Sequence, residues 1–509
     1  MTTFTYSFPT TLIAGTTLTP SSGGYFLNGE FVTSNSTISQ YSLTSALSDA
    51  FAMWSNVTDV NYIQGSSATN HLSVAYWNTA ENGRGSGTTY GEGSNFNTAT
   101  NFWIFLNKNF DVNDPNGPAD YMITNPTFGN WGIWNLAHEI GHTLLGDGHP
   151  PVTSDLRFSI MAYPEFHALA GAISGAITNL PNDNIKIPLT PGMTDIATLQ
   201  SRFGQSKAQD GNTNYVFGQG SVDLGHGNLL AGVIGANLNK YVMTIWDRPT
   251  TTDPVTGKVD TAGGIDTIDA SSLATKTYID LRAGHFSAIG TDINTPLADG
   301  DNGNTDYNVG IAIGAEIENA KGGAVDDYIR GNDLRNELEG NDGNDTLQGG
   351  VGNDTLDGGS GNDTYILEGL FTMATIKDND GQGSITLDSH AIFGASKQIL
   401  QDIYHDEGPG KKTYIKLSDG GLLVAGAEGE QNIYIQQWNS NNLGISLSGE
   451  VAAAPQFTLI GDLKTILSHF KTSKHLLCSP IPMRAAEHPL FNLNTQKPAE
   501  NDNNWRLVA

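Results

Sequence analysis

Cysteine is all but missing. The 509 residues hold one, Cys478, so no disulfide can close within the chain. Small exported domains commonly lean on disulfides, and bound metal is the usual substitute. Basic residues are scarce too: 25 Lys and Arg stand against 53 Asp and Glu, a formal net charge of −28. Nucleic acid and anionic membranes both recruit basic faces, so neither is expected as a partner. No stretch reaches the about 18 consecutive apolar residues of a membrane helix, and no membrane span is expected. Residues 1–15 lack the basic start and apolar run of a signal peptide, so an export address has to lie elsewhere.

Glycine is what the chain has in excess, 60 residues with only 15% charged. Glycine turns carrying carboxylates are the material of oxygen-rich cation sites. The length exceeds what one hydrophobic core organises, so several domains are expected.

Leu43, Ala46, Leu47, Ala50, Phe51 and Trp54 recur at helical spacing, which predicts a helix within 37–56 with Ser42 as N-cap. Strand-like runs follow at 71–77 and 101–106. Ile133, Leu136, Ala137, Ile140 and Leu144 form the stripe of a second helix, 133–145, and a short helix is expected at 195–203. Residues 1–205 therefore read as an α+β domain. From about residue 210 Gly, Asp and Asn take over. A period of nine runs through 322–366, with Ile329, Leu338, Leu347, Leu356 and Tyr365 in phase, and Asp327, Asn336, Asp345, Asp354 and Asp363 likewise. Residues 206–366 form the domain around these repeats. Residues 367–449 alternate in a β manner, with runs at 384–387, 413–417, 433–436 and 443–447. The proline-broken, basic tail 450–509 is expected to pack little outside 459–470.

Chemistry concentrates in His138-Glu139-Ile140-Gly141-His142. On a helix His138 and His142 share one face a turn apart, the spacing two imidazoles need to bind one tetrahedral metal. Glu139 projects beside them and can take a proton from a metal-bound water. The plain alternative is a helix with two satisfied histidines and a solvated glutamate. Gly146 can end the helix in a left-handed turn, and His149-Pro150 then follows. Met161 and Tyr163 arrive in Ser159-Ile160-Met161-Ala162-Tyr163; taken alone, both read as core filling.

Together these segments resemble the metzincin metallopeptidases, most closely their serralysin branch. The family pattern HEIGHxxGxxHP is matched by HEIGHTLLGDGHP, and its Met-turn by SIMAY. Its TPGxxDIxxxQ segment is matched from Thr190 to Gln200, and 4–9 is similar to its first strand. The resemblance spans about residues 4–366. It implies His138, His142 and His149 as zinc ligands, Glu139 as general base, and Met161 packed beneath the metal. It also implies Tyr163 as an extra, swinging ligand that stabilises the oxyanion. One departure stands out: Thr143, Leu144 and Leu145 separate the second His from the Gly, where the family has two residues. An added helical residue turns the exit by about 100° and lengthens it by about 1.5 Å. Three outcomes are open at this point: Gly146 and Gly148 absorb the shift and deliver His149, Asp147 supplies an oxygen ligand instead, or the site is weakened or empty.

The nonapeptides match the GGxGxDxUx signature of calcium-binding β-rolls in repeats-in-toxin (RTX) proteins. Two units make one coil of eighteen residues. Asp327, Asp345 and Asp363 are then expected along one edge, and Asn336 and Asp354 along the other. Calcium is expected on Asp327, Asp345, Asp354 and Asp363, most firmly on the last three. Without it the carboxylates repel and the thin core cannot offset chain entropy.

The expected fold is thus multidomain: a metzincin-like α+β protease domain, a parallel β-roll or β-sandwich, and a further β-rich region. The expected function is a secreted, extracellular zinc endopeptidase that is folded by calcium, acts on proteins or peptides, and is monomeric. The resemblance implies type I export with an uncleaved C-terminal signal, which 505–509 matches loosely. The strand expected at 87–91 is a candidate edge for pairing an extended substrate, and 164–188 a candidate specificity wall. The alternative from another class is a non-catalytic calcium-binding RTX protein of adhesion or binding, with a degenerate zinc site.

Overall fold

The computed structural model describes residues 1–7, 31–32, 40–65, 70–77, 87–91, 101–107, 131–146, 158–162, 186–207, 210–218, 221–223, 238, 241–252, 259–260, 263–291, 307–406, 412–426, 431–448, 495–496 and 506–507. They belong to two compact units, Met1–Ala324 and Val325–Ala509.

The first unit opens with strand Thr2–Ser7, which pairs in parallel with Val60–Gln64 on one side and His71–Trp77 on the other. His71–Trp77 continues in parallel to Asn101–Asn107, and Gly87–Gly91 closes the sheet antiparallel to the latter. Helix α1, Gln40–Ser55, and helix α2, Trp131–Leu145, pack against each other. The stripe read from the sequence is the buried one: Ala46, Leu47, Ala50, Phe51 and Trp54 share a core with Leu136, Ala137, Ile140 and Leu144. Trp54 Nε1 donates to Ala137 O at 2.9 Å and pins the two helices together. Because α1 begins at Gln40, Ser42 lies inside the helix and not at its N-cap. The preceding run is rich in Ser, Thr and Asn, and apolar spacing does not choose among such caps.

Helix α3, Met193–Phe203, starts two residues earlier than its sequence signal. It reaches back to α2, where Arg202 Nη1 donates to Leu144 O at 2.6 Å, one of the carbonyls a helix end leaves without an intrahelical donor. Later in this unit the chain turns to parallel β structure, with Asn214–Gly218, Thr267–Asp269 and Asn319–Lys321 side by side.

In the second unit the nonapeptides build two parallel ladders. Ile329 pairs with Leu347 and Leu347 with Tyr365 on one. Leu338 pairs with Leu356 on the other. Partners are eighteen residues apart, two repeats per coil, and all five side chains are fully buried. The parallel pairing continues beyond the repeats to Met373–Lys377 and Gly383–Leu387. An antiparallel meander then runs through Lys397–Leu400, Ile403–His405, Thr413–Lys416, Leu422–Ala425 and Asn432–Ile435.

The strand expected at 443–447 is a correction. Asn442–Gly444 forms a 3-10 turn with Leu443 at φ 54°, and only Ser446–Leu447 pairs as a strand. Leu443 N–H donates to Gly381 O at 2.8 Å and its side chain is buried, so a tertiary contact overrides the local alternation. Of the tail, Thr495–Gln496 and Arg506–Leu507 are described, paired antiparallel; 459–470 lies outside the described residues.

Leu347 has an apolar neighbour above and below it, so Leu347→Ala should cost about 2–5 kcal/mol. Leu370, 80% exposed, should tolerate the same change within about 0.5 kcal/mol. Urea midpoints in saturating calcium compare the two variants; equal losses would contradict a core of this thickness.

Candidate metal sites

Helix α2 places His138, Glu139 and His142 inside the first unit, with 1%, 3% and 7% of their surface exposed. A solvated glutamate is therefore not what the fold contains. His138 Nδ1 lies 3.0 Å from Ile160 O, and His142 Nδ1 lies 3.0 Å from Gly146 O. A carbonyl can only accept, so both Nδ1 atoms carry the proton, and in the neutral rings both lone pairs sit on Nε2. That is the tautomer in which imidazole ligates zinc, oriented by a backbone acceptor on the far nitrogen. The ring centroids are 5.0 Å apart and the planes nearly perpendicular, at 86°.

Each carbonyl has a local cause. Gly146 adopts φ 97° and its N–H donates to His142 O at 3.0 Å, ending α2 in the left-handed turn the sequence announced. Ile160 belongs to the Ser159–Ala162 segment, which is held by Asp195. The Asp195 carboxylate accepts from Ser159 Oγ at 2.6 Å, Ile160 N at 2.7 Å and Gly192 N at 3.0 Å. Gly192 permits this approach, because a Cβ there would run into the Phe158–Ser159 backbone. Met161, 2% exposed, packs beneath α2 at Gly141: a Cβ on Gly141 would stand 2.5 Å from Met161 Sδ and 2.8 Å from the Trp54 ring. Burial pushes the Asp195 carboxyl up to about 6 against the downward pull of its three hydrogen bonds.

The two rings fit a metal in tautomer and spacing. Among the described residues no three His, Cys, Asp or Glu side chains converge as a complete ligand set. His149, Asp147 and Tyr163 lie outside the described residues, as does 164–185. Strand Gly87–Gly91 is the terminal strand of its sheet, and α2 packs near it.

The repeat turns bring the second set of predicted residues together. Asp327 N donates to Asp345 Oδ1 at 2.7 Å and Asp345 N to Asp363 Oδ1 at 2.9 Å, one edge of the roll. Asn336 N donates to Asp354 Oδ1 at 3.0 Å on the other. All five side chains are buried, and Asp345 Oδ2 and Asp363 Oδ2 have no hydrogen-bond partner among the described residues. Burial pushes Asp345 up to about 8, Asp354 to about 7 and Asp363 to about 6. Repulsion among neighbouring carboxylates adds to this at Asp345 and Asp363, whereas Arg335 eases Asp354 downward. Carboxylates so placed ionise comfortably only beside a cation.

Two features escape sequence reasoning. Asp195 falls in the short helix and in the TPGxxDIxxxQ match, yet neither shows that it anchors the Met161 segment. Asp247 and Asp266 are fully buried together with Tyr215, whose hydroxyl donates to Asp247 Oδ2 at 2.6 Å, and Asp266 N–H donates to Glu318 Oε2 at 2.8 Å. Burial raises all three carboxyls, and their wide separation along the chain hides them from any motif.

Residues 330–365 match the RTX calcium-binding nonapeptide repeat, in four copies. The chain is similar to the metallopeptidase AprA of Pseudomonas marginalis, 28% identical over 318 residues, covering 58% of this chain and 56% of that protein. It is also similar to a serralysin of Proteus mirabilis, 31% identical over 230 residues, covering 42% of this chain and 38% of the relative. The chain thus spans about half the length, or less, of these curated relatives. Among solved structures it aligns with the AlgE6R3 subunit of the Azotobacter vinelandii mannuronan C5-epimerase, at 23% identity and a TM-score of 0.18. That alignment covers 28% of this chain and 86% of the other. The chain resembles serralysin-like RTX metallopeptidases, at modest identity.

The buried, raised Asp195 contributes stability in full below its unfolded value near 3.8, and loses it as pH rises through about 6. The stability advantage of wild type over Asp195→Asn should therefore narrow between about pH 4 and about pH 6 and flatten above. Urea unfolding across that range checks it, and a widening gap would contradict the burial argument. Gly141→Ala should lower stability by about 1–3 kcal/mol through overpacking against Trp54, read as a shift in the thermal midpoint.

Proposed function

We propose that this chain is a secreted, extracellular endopeptidase of the serralysin-like, metzincin kind, dependent on zinc and folded by calcium. One observation carries the proposal: two buried imidazoles a helical turn apart, both held by backbone carbonyls with their lone pairs on Nε2. The similarity to proteins named metallopeptidase and serralysin supports it. In this reading residues 1–205 are the protease domain and 206–366 the calcium-binding roll domain. Residues 367–449 are a β-rich C-terminal domain, and 450–509 a tail bearing the export signal. The chain acts as a monomer and leaves the cell through type I secretion machinery.

His138 and His142 would hold the zinc, with His149 as third ligand. Bound there, zinc supplies a Lewis acid that polarises a peptide carbonyl and acidifies water. The chain's own groups do the rest. Glu139, buried beside the rings, accepts the proton of the attacking water and returns it to the leaving amine. Tyr163 would donate a hydrogen bond to the developing oxyanion. Gly87–Gly91, as a terminal strand, offers main-chain donors and acceptors to an extended peptide. Asp327, Asp345, Asp354 and Asp363 would bind calcium; the oxygens without partners at Asp345 and Asp363 support this.

Glu139→Gln should retain one zinc per chain while casein hydrolysis falls by about 10²–10⁴-fold. His142→Ala should lose both metal and activity. His149→Ala should lose zinc where Asp147→Ala keeps it; the reverse would hand the third position to Asp147. Casein hydrolysis that survives Glu139→Gln would contradict the mechanism and favour a calcium-binding RTX protein of adhesion. Chelation of calcium should abolish the β signal of the repeats in circular dichroism, reversibly.

A further inference from the structure

We infer that Asp195 and Ser159 are positioning residues for His138, acting on its Nε2 lone pair through the peptide group that joins Ile160 to Met161. This rests on the zinc reading of the site and deepens it, by naming what sets the donor strength of one of the two rings.

The links form one continuous chain of hydrogen bonds. Ser159 Oγ donates its proton to Asp195 Oδ1 at 2.6 Å. With its hydrogen committed, Ser159 Oγ offers a lone pair, and Met161 N–H donates to it at 3.0 Å. That N–H and the Ile160 carbonyl belong to the same peptide group. Ile160 O accepts from His138 Nδ1 at 3.0 Å. Every step has the same sign. The carboxylate makes the Ser159 oxygen a better acceptor, and the stronger bond to Met161 N–H makes Ile160 O more negative. A firmer hold on the Nδ1 proton then raises the basicity of Nε2, the nitrogen that would face the metal. A metal-binding histidine often has a carboxylate directly on its far nitrogen. Here a hydroxyl and an amide stand between acid and ring.

The surroundings suit transmission along bonds. Asp195, Ser159, Ile160, Met161 and His138 are each 4% exposed or less, in an interior where a chain of hydrogen bonds is stronger than in water. The other oxygen of Asp195 is occupied by Ile160 N–H at 2.7 Å and Gly192 N–H at 3.0 Å, which leaves Oδ1 to Ser159. Burial holds the carboxyl near 6, so it is charged at neutral pH. The same segment is also clamped by a contact outside the chain: Phe158 O accepts Thr194 N–H at 2.9 Å and Thr194 Oγ1 at 2.6 Å. His142 supplies the contrast, because its Nδ1 faces Gly146 O at the end of its own helix. The two rings should therefore respond differently to the loss of Asp195.

The test uses the full-length chain with calcium present. Zinc affinity is measured by competition with a chelator in wild type, Asp195→Asn, Ser159→Ala, Ser159→Thr and Thr194→Val, with urea midpoints recorded beside it. Asp195→Asn and Ser159→Ala should bind zinc about 10–100-fold more weakly. Ser159→Thr keeps the hydroxyl and should restore the affinity. Thr194→Val loosens the segment without touching the chain of bonds, and should lose stability while keeping zinc. In the zinc-free protein with nitrogen-labelled histidine, the NMR signal of the His138 Nδ1 proton should move upfield in Asp195→Asn while that of His142 stays. Should Asp195→Asn fail to fold, Ser159→Ala against Ser159→Thr makes the same comparison of affinity and proton. Affinities that merely follow stability across the variants, or a His138 proton that does not move, overturn the inference. Full zinc affinity in folded Asp195→Asn and Ser159→Ala overturns it too and leaves the zinc site standing. A wild-type chain that takes up no zinc overturns the metal reading, and the His138 proton then decides the linkage alone.

Discussion

A neutral imidazole has one nitrogen with a lone pair, and its other nitrogen's partner decides which. In this chain Ile160 O and Gly146 O make that choice for His138 and His142. Everything proposed for the first unit depends on those two carbonyls, and each is bought by local structure: Gly146 by a left-handed turn, Ile160 by the buried carboxylate of Asp195. The arrangement is made of backbone as much as of side chains. It links helix α2 to α3 through a single acid that touches neither ring.

The same electrostatic rule governs the second unit with the opposite solution. Asp195 lies in the protein interior and is met by three donors. Asp345 and Asp363 lie there too, but each receives one backbone N–H and keeps an oxygen without a partner. Neighbouring carboxylates then repel, and under the proposed function a cation between coils relieves that repulsion. In the proposed reading, a chain with one cysteine uses ionic staples in place of covalent ones, and its stability depends on calcium.

Much of this was legible in the residues. The stripe ending at Trp54 found its helix face, because burial and helical period are the same fact seen twice. The nonapeptide phase found the eighteen-residue coil, because one apolar side chain per unit has to face a thin core. What stayed hidden was longer in range. Ser42 could not be told from neighbouring caps. Leu443 left its strand because Gly381, 62 residues earlier, accepts its N–H. Asp195 stood in the TPGxxDIxxxQ match, but its role showed only when the fold brought Ile160 beside it, and the coil after Tyr365 is longer by two residues. Periodicity reports what repeats, and these contacts occur once.

X-ray absorption at the zinc edge, on protein purified with the metal it acquires, tests the central claim most directly. The account predicts imidazole scattering from His138 and His142 through Nε2 at about 2.0–2.1 Å, with at least one further nitrogen in the sphere. Zinc uptake that survives replacement of both histidines, or a sphere without imidazole, would contradict it.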